Sequence, residues 1–257
     1  MAEQKSEQQN EFKFPTEIVD LPSKGKLYPE NSPLSDGKIE LKYMTAKEED
    51  ILTSQNLIKK GVVIDKLMDS LIVTPGIKCK DLLLGDKNAL MVAARILAYG
   101  GEYTVEVMNP NSGEKFQHTF DLTSCEFKEV PEDIEEKGNN FSVELPITKV
   151  NITYRMLTGE DESNITQELK SLQKIGQNAE VTTRLKHVIT SVNGEDSKSA
   201  INKFVDNMLS KESLFLREEI SRISPDIDLT QEIDIDGETV SLAIPMTVEF
   251  FWPKAGK

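Results

Sequence analysis

Residues 38–50 read KIELKYMTAKEED, and their pattern changes in the middle. Apolar Ile39, Leu41 and Tyr43 alternate with polar neighbours at a period of two, as in a strand with one buried face. Thr45, three residues before Glu48, then supplies a capping box, in which two side chains satisfy amides left without partners at a helix start. A strand running straight into a capped helix places the chain in the α+β class, with helices and antiparallel β-hairpins. The helix is expected from about Ala46 to Lys59, and Gly61 separates it from a second apolar-periodic stretch, Val62 to Ile72.

Downstream, a third helix is expected from about Lys87 to Ala98, with Asp86 as its N-cap and Gly100-Gly101 as its stop. Two alternating runs, Tyr103–Met108 and Lys115–Leu122, flank the turn-forming residues 109–113, NPNSG, and predict a hairpin. After an acidic connection, Phe141–Leu145 and Val150–Leu157 read as strands, and Thr158–Lys174, Ser199–Leu209 and Ser213–Ile223 as helices. Residues 181–192, VTTRLKHVITSV, fit helix and strand equally. The stretch Glu232–Trp252 alternates around Asp236-Gly237 and predicts a hairpin and a final strand. On that strand Phe250 and Trp252 would point one way and Phe251 the other.

Upstream, residues 1–13 are polar and expected to be disordered. Residues 14–37 carry four prolines and two glycines among spaced apolar residues, the composition of an extended arm. Phe14, Ile18, Leu21, Leu27 and Tyr28 are its anchors and the candidate partner-binding residues, lying along either the chain's own body or a partner's. Removing residues 1–33 is expected to abolish partner binding and leave the body folded.

The order strand, capped acidic helix, helices and hairpin occurs twice. Residues 39–51, IELKYMTAKEEDI, resemble residues 150–163, VNITYRMLTGEDES, and residues 83–96, LLGDKNALMVAARI, stand opposite residues 208–221, MLSKESLFLREEIS. The spacing grows from 113 residues at Thr45 and Thr158 to 124 at Gly113 and Gly237. A duplication with one insertion and a chance recurrence of common elements both account for this. The expected organisation is a tail and arm over residues 1–37, a first α+β lobe with a hairpin over 38–136, and a second with a C-terminal hairpin and strand over 137–257.

The 257 residues, 38% hydrophobic, suffice for one large or two modest cores. A formal net charge of −14 opposes binding to a phosphate backbone, so nucleic acid is not an expected partner. The longest apolar window, Ala89 to Tyr99, is interrupted by Arg95 and falls short of the ~20 residues a membrane helix needs. The first ten residues lack a basic region and an apolar core, so no secretory signal is expected and the chain should stay in a cytoplasm. Cys79 and Cys125 are too few for a disulfide framework.

No residue pattern predicts a catalytic site. His118 falls in a predicted hairpin and His187 in an apolar-periodic run, positions that packing accounts for, and neither GxxxxGK[ST] nor a strand-linked GxGxxG occurs. Glu232, Asp234 and Asp236 before Gly237 imitate the start of a calcium loop, but Ala243 stands where an EF-hand needs its bidentate Glu. No cofactor or metal is expected. A hydrolase acting through carboxylates would need a deep pocket in which they converge.

Residues 14–29, FPTEIVDLPSKGKLYP, residues 37–54, GKIELKYMTAKEEDILTS, residues 82–100, LLLGDKNALMVAARILAYG, and residues 244–253, IPMTVEFFWP, together resemble the baseplate hub assembly proteins of T-even-like contractile-tailed bacteriophages. The resemblance is closest over residues 14–108. It implies a non-enzymatic assembly factor or minor hub subunit that binds other hub or tail proteins, in the host cytoplasm during assembly and in the tail baseplate of the virion. A tail chaperone absent from the virion is the alternative. Relatives carry CPxCG-like knuckles where this chain has residues 109–113 and 233–237. Here Asn109, Ser112, Ile233 and Asp236 replace the thiols, so the resemblance carries no zinc site onto this chain.

Overall fold

A computed structural model describes residues 14–132, 134, 138–235 and 237–251. The expected disorder of residues 1–13, the side-chain direction of Trp252 and the role of Asp236 lie outside those residues. Among the described residues the chain forms eight helices and several small antiparallel sheets, an α+β fold.

The arm opens as a strand. β1 (Thr16–Asp20) pairs antiparallel with β2 (Lys38–Lys42), Val19 opposite Ile39. The Thr45–Glu48 capping box then starts α1 (Ala46–Thr53), as expected. The single predicted helix divides at Ser54, whose extended backbone ends α1 and begins α2 (Gln55–Lys60). Gly61, at φ 71°, terminates α2, and α3 (Val63–Leu71) follows. Behind it, Ile72 bridges Leu41 of β2.

The next helix, α4 (Leu84–Tyr99), starts earlier than expected, because Leu83 is its N-cap and Asp86 sits in its first turn. The hairpin β3 (Glu102–Met108) and β4 (Lys115–Asp121) forms as read, and β5 (Phe127–Lys128) closes this part.

The second part repeats several local devices. β6 (Phe141–Glu144) pairs with β7 (Asn151–Tyr154), and a Thr158–Asp161 capping box starts α5 (Gly159–Lys174). The ambiguous run holds both structures: α6 (Glu180–Val188) ends where β8 (Ile189–Val192) begins and joins β7. Then come α7 (Lys198–Asp206) and α8 (Ser210–Ile223). β9 (Asp226–Ile227) pairs with β5, tying residues 127–128 to residues 226–227. The hairpin β10 (Thr230–Ile235) and β11 (Glu238–Ala243) follows.

The expected final strand is instead a 3-10 turn, Val248–Phe251. A strand would send Phe250 and Phe251 to opposite faces, whereas both are buried in one core, their rings edge to face at 5.1 Å. Buried side chains from Leu21 to Phe251 form one contiguous cluster.

Candidate functional site

The structure separates the five arm anchors. Leu21, Leu27 and Tyr28 are buried in the chain's own core together with Leu34, while Phe14 and Ile18 are exposed. Deleting residues 1–33 would therefore strip core side chains, and the expectation of an intact truncated body is withdrawn.

One polar latch holds the buried segment to α4. The Ser23 N–H donates to Asp86 Oδ1 at 2.9 Å and the Tyr28 hydroxyl to Asp86 Oδ2 at 2.7 Å. The same hydroxyl accepts from the Leu83 N–H at 2.9 Å, satisfying a helix-start amide. Burial pushes the Asp86 carboxyl above its ordinary range, and the nearby Asp226 adds to the shift. Burial and the Asp86 charge likewise raise the Tyr28 hydroxyl. Asp86 was read from sequence as an N-cap. Its actual donors lie 63 and 58 residues away, beyond any local signal.

A second carboxylate, Glu48, fixes the ribbon to α1. Its side chain is buried and meets the Lys42 ammonium at 2.9 Å and the Thr45 N–H at 3.0 Å. Burial pushes this carboxyl up, but Lys42 and Thr45 outweigh it and hold it down to about 2. Above the ordinary carboxylate pKa of 4.5 the stabilisation is complete, and it is lost as pH falls from there toward about 2, because the unfolded chain takes up the proton first. Glu48→Gln is therefore expected to flatten the acid limb of stability by about one proton, read from urea midpoints between about pH 5 and pH 2.5.

The backbone of β1 faces two ways. The Tyr43 N–H donates to the Pro15 carbonyl at 3.2 Å, and the Leu21 N–H to the Gly37 carbonyl at 2.8 Å. By antiparallel alternation Glu17 and Val19 then bond toward β2, and Thr16, Ile18 and Asp20 turn their N–H and C=O groups outward. No strand pairs with that outer edge among the described residues. Ile18 is 64% exposed on it, next to Glu17, and Phe14 lies beneath the Lys42 ammonium at 5.4 Å. Free main-chain groups beside an exposed aliphatic side chain form a template for one more strand.

The remaining sequence candidates make contacts within the chain. His118 stands edge-on to Phe120 at 4.6 Å, and His187 Nε2 lies 3.2 Å from Glu168. Burial pushes the Cys79 thiol up to about 12, so it is protonated at neutral pH. In the NPNSG turn Asn109 Oδ1 accepts from the Asn111 N–H, and in the second turn Asp234 Oδ1 accepts from the Gly237 N–H, both at 2.9 Å. Among the described residues no group of three or more His, Cys, Asp or Glu is placed to hold a metal ion, and no helix is long and apolar enough to cross a membrane.

A cleft of about 420 Å³ opens between α3, α4 and α5. Its carboxylates are engaged: Asp65 by Lys87 at 2.6 Å, and Glu162 by Arg184 through two bonds of 2.8 and 2.9 Å. The nearby cations Lys60 and Lys170 line the same cleft.

No curated protein and no solved structure gives a significant match to the chain. A family model described as T4 bacteriophage base plate protein matches residues 14–251, which include the arm, both capping boxes and both hairpins, and the chain belongs to that family.

Proposed function

We propose that this baseplate protein is a non-catalytic hub assembly factor or minor hub subunit that docks to its neighbours through the outer edge of β1. The carrying observation is that edge, with three residues' main-chain groups facing outward around the exposed Ile18. Its occupant is an extended segment of another baseplate protein bearing Lys or Arg, opposite Glu17 and a body of formal charge −14. The engaged carboxylates of the cleft favour this reading over hydrolysis. A transient tail chaperone would dock in the same way and then leave, so mass spectrometry of purified particles against infected-cell lysate separates it from a virion subunit.

Ile18→Pro tests the docking itself. Proline removes an outward N–H while the bonds of Glu17 and Val19 to β2 remain, and edge strands accept it. Docking is expected to weaken about tenfold or more, from one lost main-chain bond and the bulk of the ring. Complementation of a phage lacking the gene should fall accordingly, with the melting temperature little changed. Full complementation would overturn the proposal. Val19→Pro, which breaks the intrachain ladder, is the control for misfolding.

A further inference from the structure

Asp86 and Glu212 occupy like places in two like arrangements. Each lies in the first turn of a helix whose N-cap is a leucine without a side-chain cap, Leu83 for α4 and Leu209 for α8. Each binds the backbone of the connection between two antiparallel strands. Asp86 takes the Ser23 N–H between β1 and β2, and Glu212 takes the Ile147 and Thr148 N–H groups, at 3.0 and 2.7 Å, between β6 and β7. Both connections begin Leu-Pro, at Leu21-Pro22 and Leu145-Pro146, and both carry a lysine at positive φ, Lys24 at 50° and Lys149 at 58°.

The two latches differ in their covering. After Lys24 the chain makes a long excursion to β2, in which Leu27, Tyr28 and Leu34 are buried and the Tyr28 hydroxyl reaches the first latch. Pro22 and Ser23 are buried there, and Leu83 is 2% exposed. After Lys149 the chain enters β7 at once, so the second latch has no corresponding flap. Pro146 is exposed, Ile147 is 51% exposed and Leu209 is 44% exposed. Whereas the Leu83 N–H donates to the Tyr28 hydroxyl, the Leu209 N–H has no partner among the described residues.

We propose that the uncovered rim of Pro146, Ile147 and Leu209 is a docking site for a segment of another baseplate protein that presents an aliphatic side chain next to a tyrosine. Leu27 and Tyr28 show, within this chain, what chemistry fills such a place: a phenolic oxygen accepts the helix-start N–H, and the aliphatic residue next to it in the chain is buried. Tyrosine suits the position because it joins a large apolar face to one hydroxyl. The rim is built from different residues than the β1 edge.

The test uses the full chain in phage assembly. Ile147→Asp with Leu209→Asp alters two exposed side chains, so melting should stay near that of the parent, while complementation of a phage lacking the gene should fall about tenfold or more. Undiminished complementation overturns the proposal. A benzoylphenylalanine placed at position 209 gives a readout that does not depend on the charged variant: in assembled baseplates it should crosslink to a peptide of another protein with tyrosine beside an aliphatic residue. No crosslink, a crosslinked peptide without tyrosine, or a second copy of this chain as the sole product each overturns it. Ile18→Pro leaves this crosslink in place if the β1 edge alone is misassigned.

Discussion

Gly85→Ala is expected to destabilise the protein by about 4 kcal/mol, above the usual cost of an added core methyl, because the new carbon meets backbone and nothing that can rotate away. A Cβ at Gly85 would stand 1.9 Å from the Pro225 carbonyl oxygen and 2.7 Å from the Asp226 Cα. Those atoms are fixed, since Asp226 belongs to β9 in its ladder with β5 and its Oδ1 accepts from Asn88 Nδ2 at 3.1 Å. Relief requires α4 to move off β9. In an open helix the same change would instead stabilise by up to about 1 kcal/mol, so even the sign is informative. Thermal unfolding should show a drop of about 10 °C for a chain of this size. A rise would mean that α4 and β9 do not make this approach.

Asp86→Ala is expected to cost about 3 kcal/mol or more. It leaves the Ser23 N–H and the Tyr28 hydroxyl buried without their acceptor, and each such orphan costs about 1–3 kcal/mol. The damage has a direction, because these bonds hold residues 21–34 against the body. Trypsin should therefore cut at Lys24 or Lys26 well before the rest of the chain yields. Tyr28→Phe removes one partner from the same network, so the double variant should lose less than the two single losses combined. Strict additivity, or a chain that unfolds before Lys24 is cut, would contradict the latch.

Legibility in the sequence followed the range of the interactions. The turn from β2 into α1 was readable because Thr45 and Glu48 meet within three residues, and β3 with β4 because alternation and turn residues are local. The break at Ser54 was not, since no proline or glycine marks it and apolar residues continue on both sides, and the switch from α6 to β8 was not, since it lies inside a run that fits helical and extended periods equally. The closing strand failed because adjacent Phe250 and Phe251 both turn inward, which only a tight helical turn allows. For the candidate site, Phe14 and Ile18 were named in one group with Leu21, Leu27 and Tyr28. Apolar spacing does not distinguish side chains bound for the interior from those left outside; that depended on Asp86, some sixty residues away.

The seal on α4 also sets an order of events during synthesis. This helix ends at Tyr99, yet Pro225 and Asp226, which close against Gly85, are about 130 residues further along the chain. At ordinary elongation rates that interval is roughly 6–26 s, during which a nascent chain carries α4 with the face at Gly85 and Asn88 not yet met by β9. Ribosome-bound chains stopped before residue 225 should accordingly recruit holdase chaperones, and chains released after β9 emerges should not.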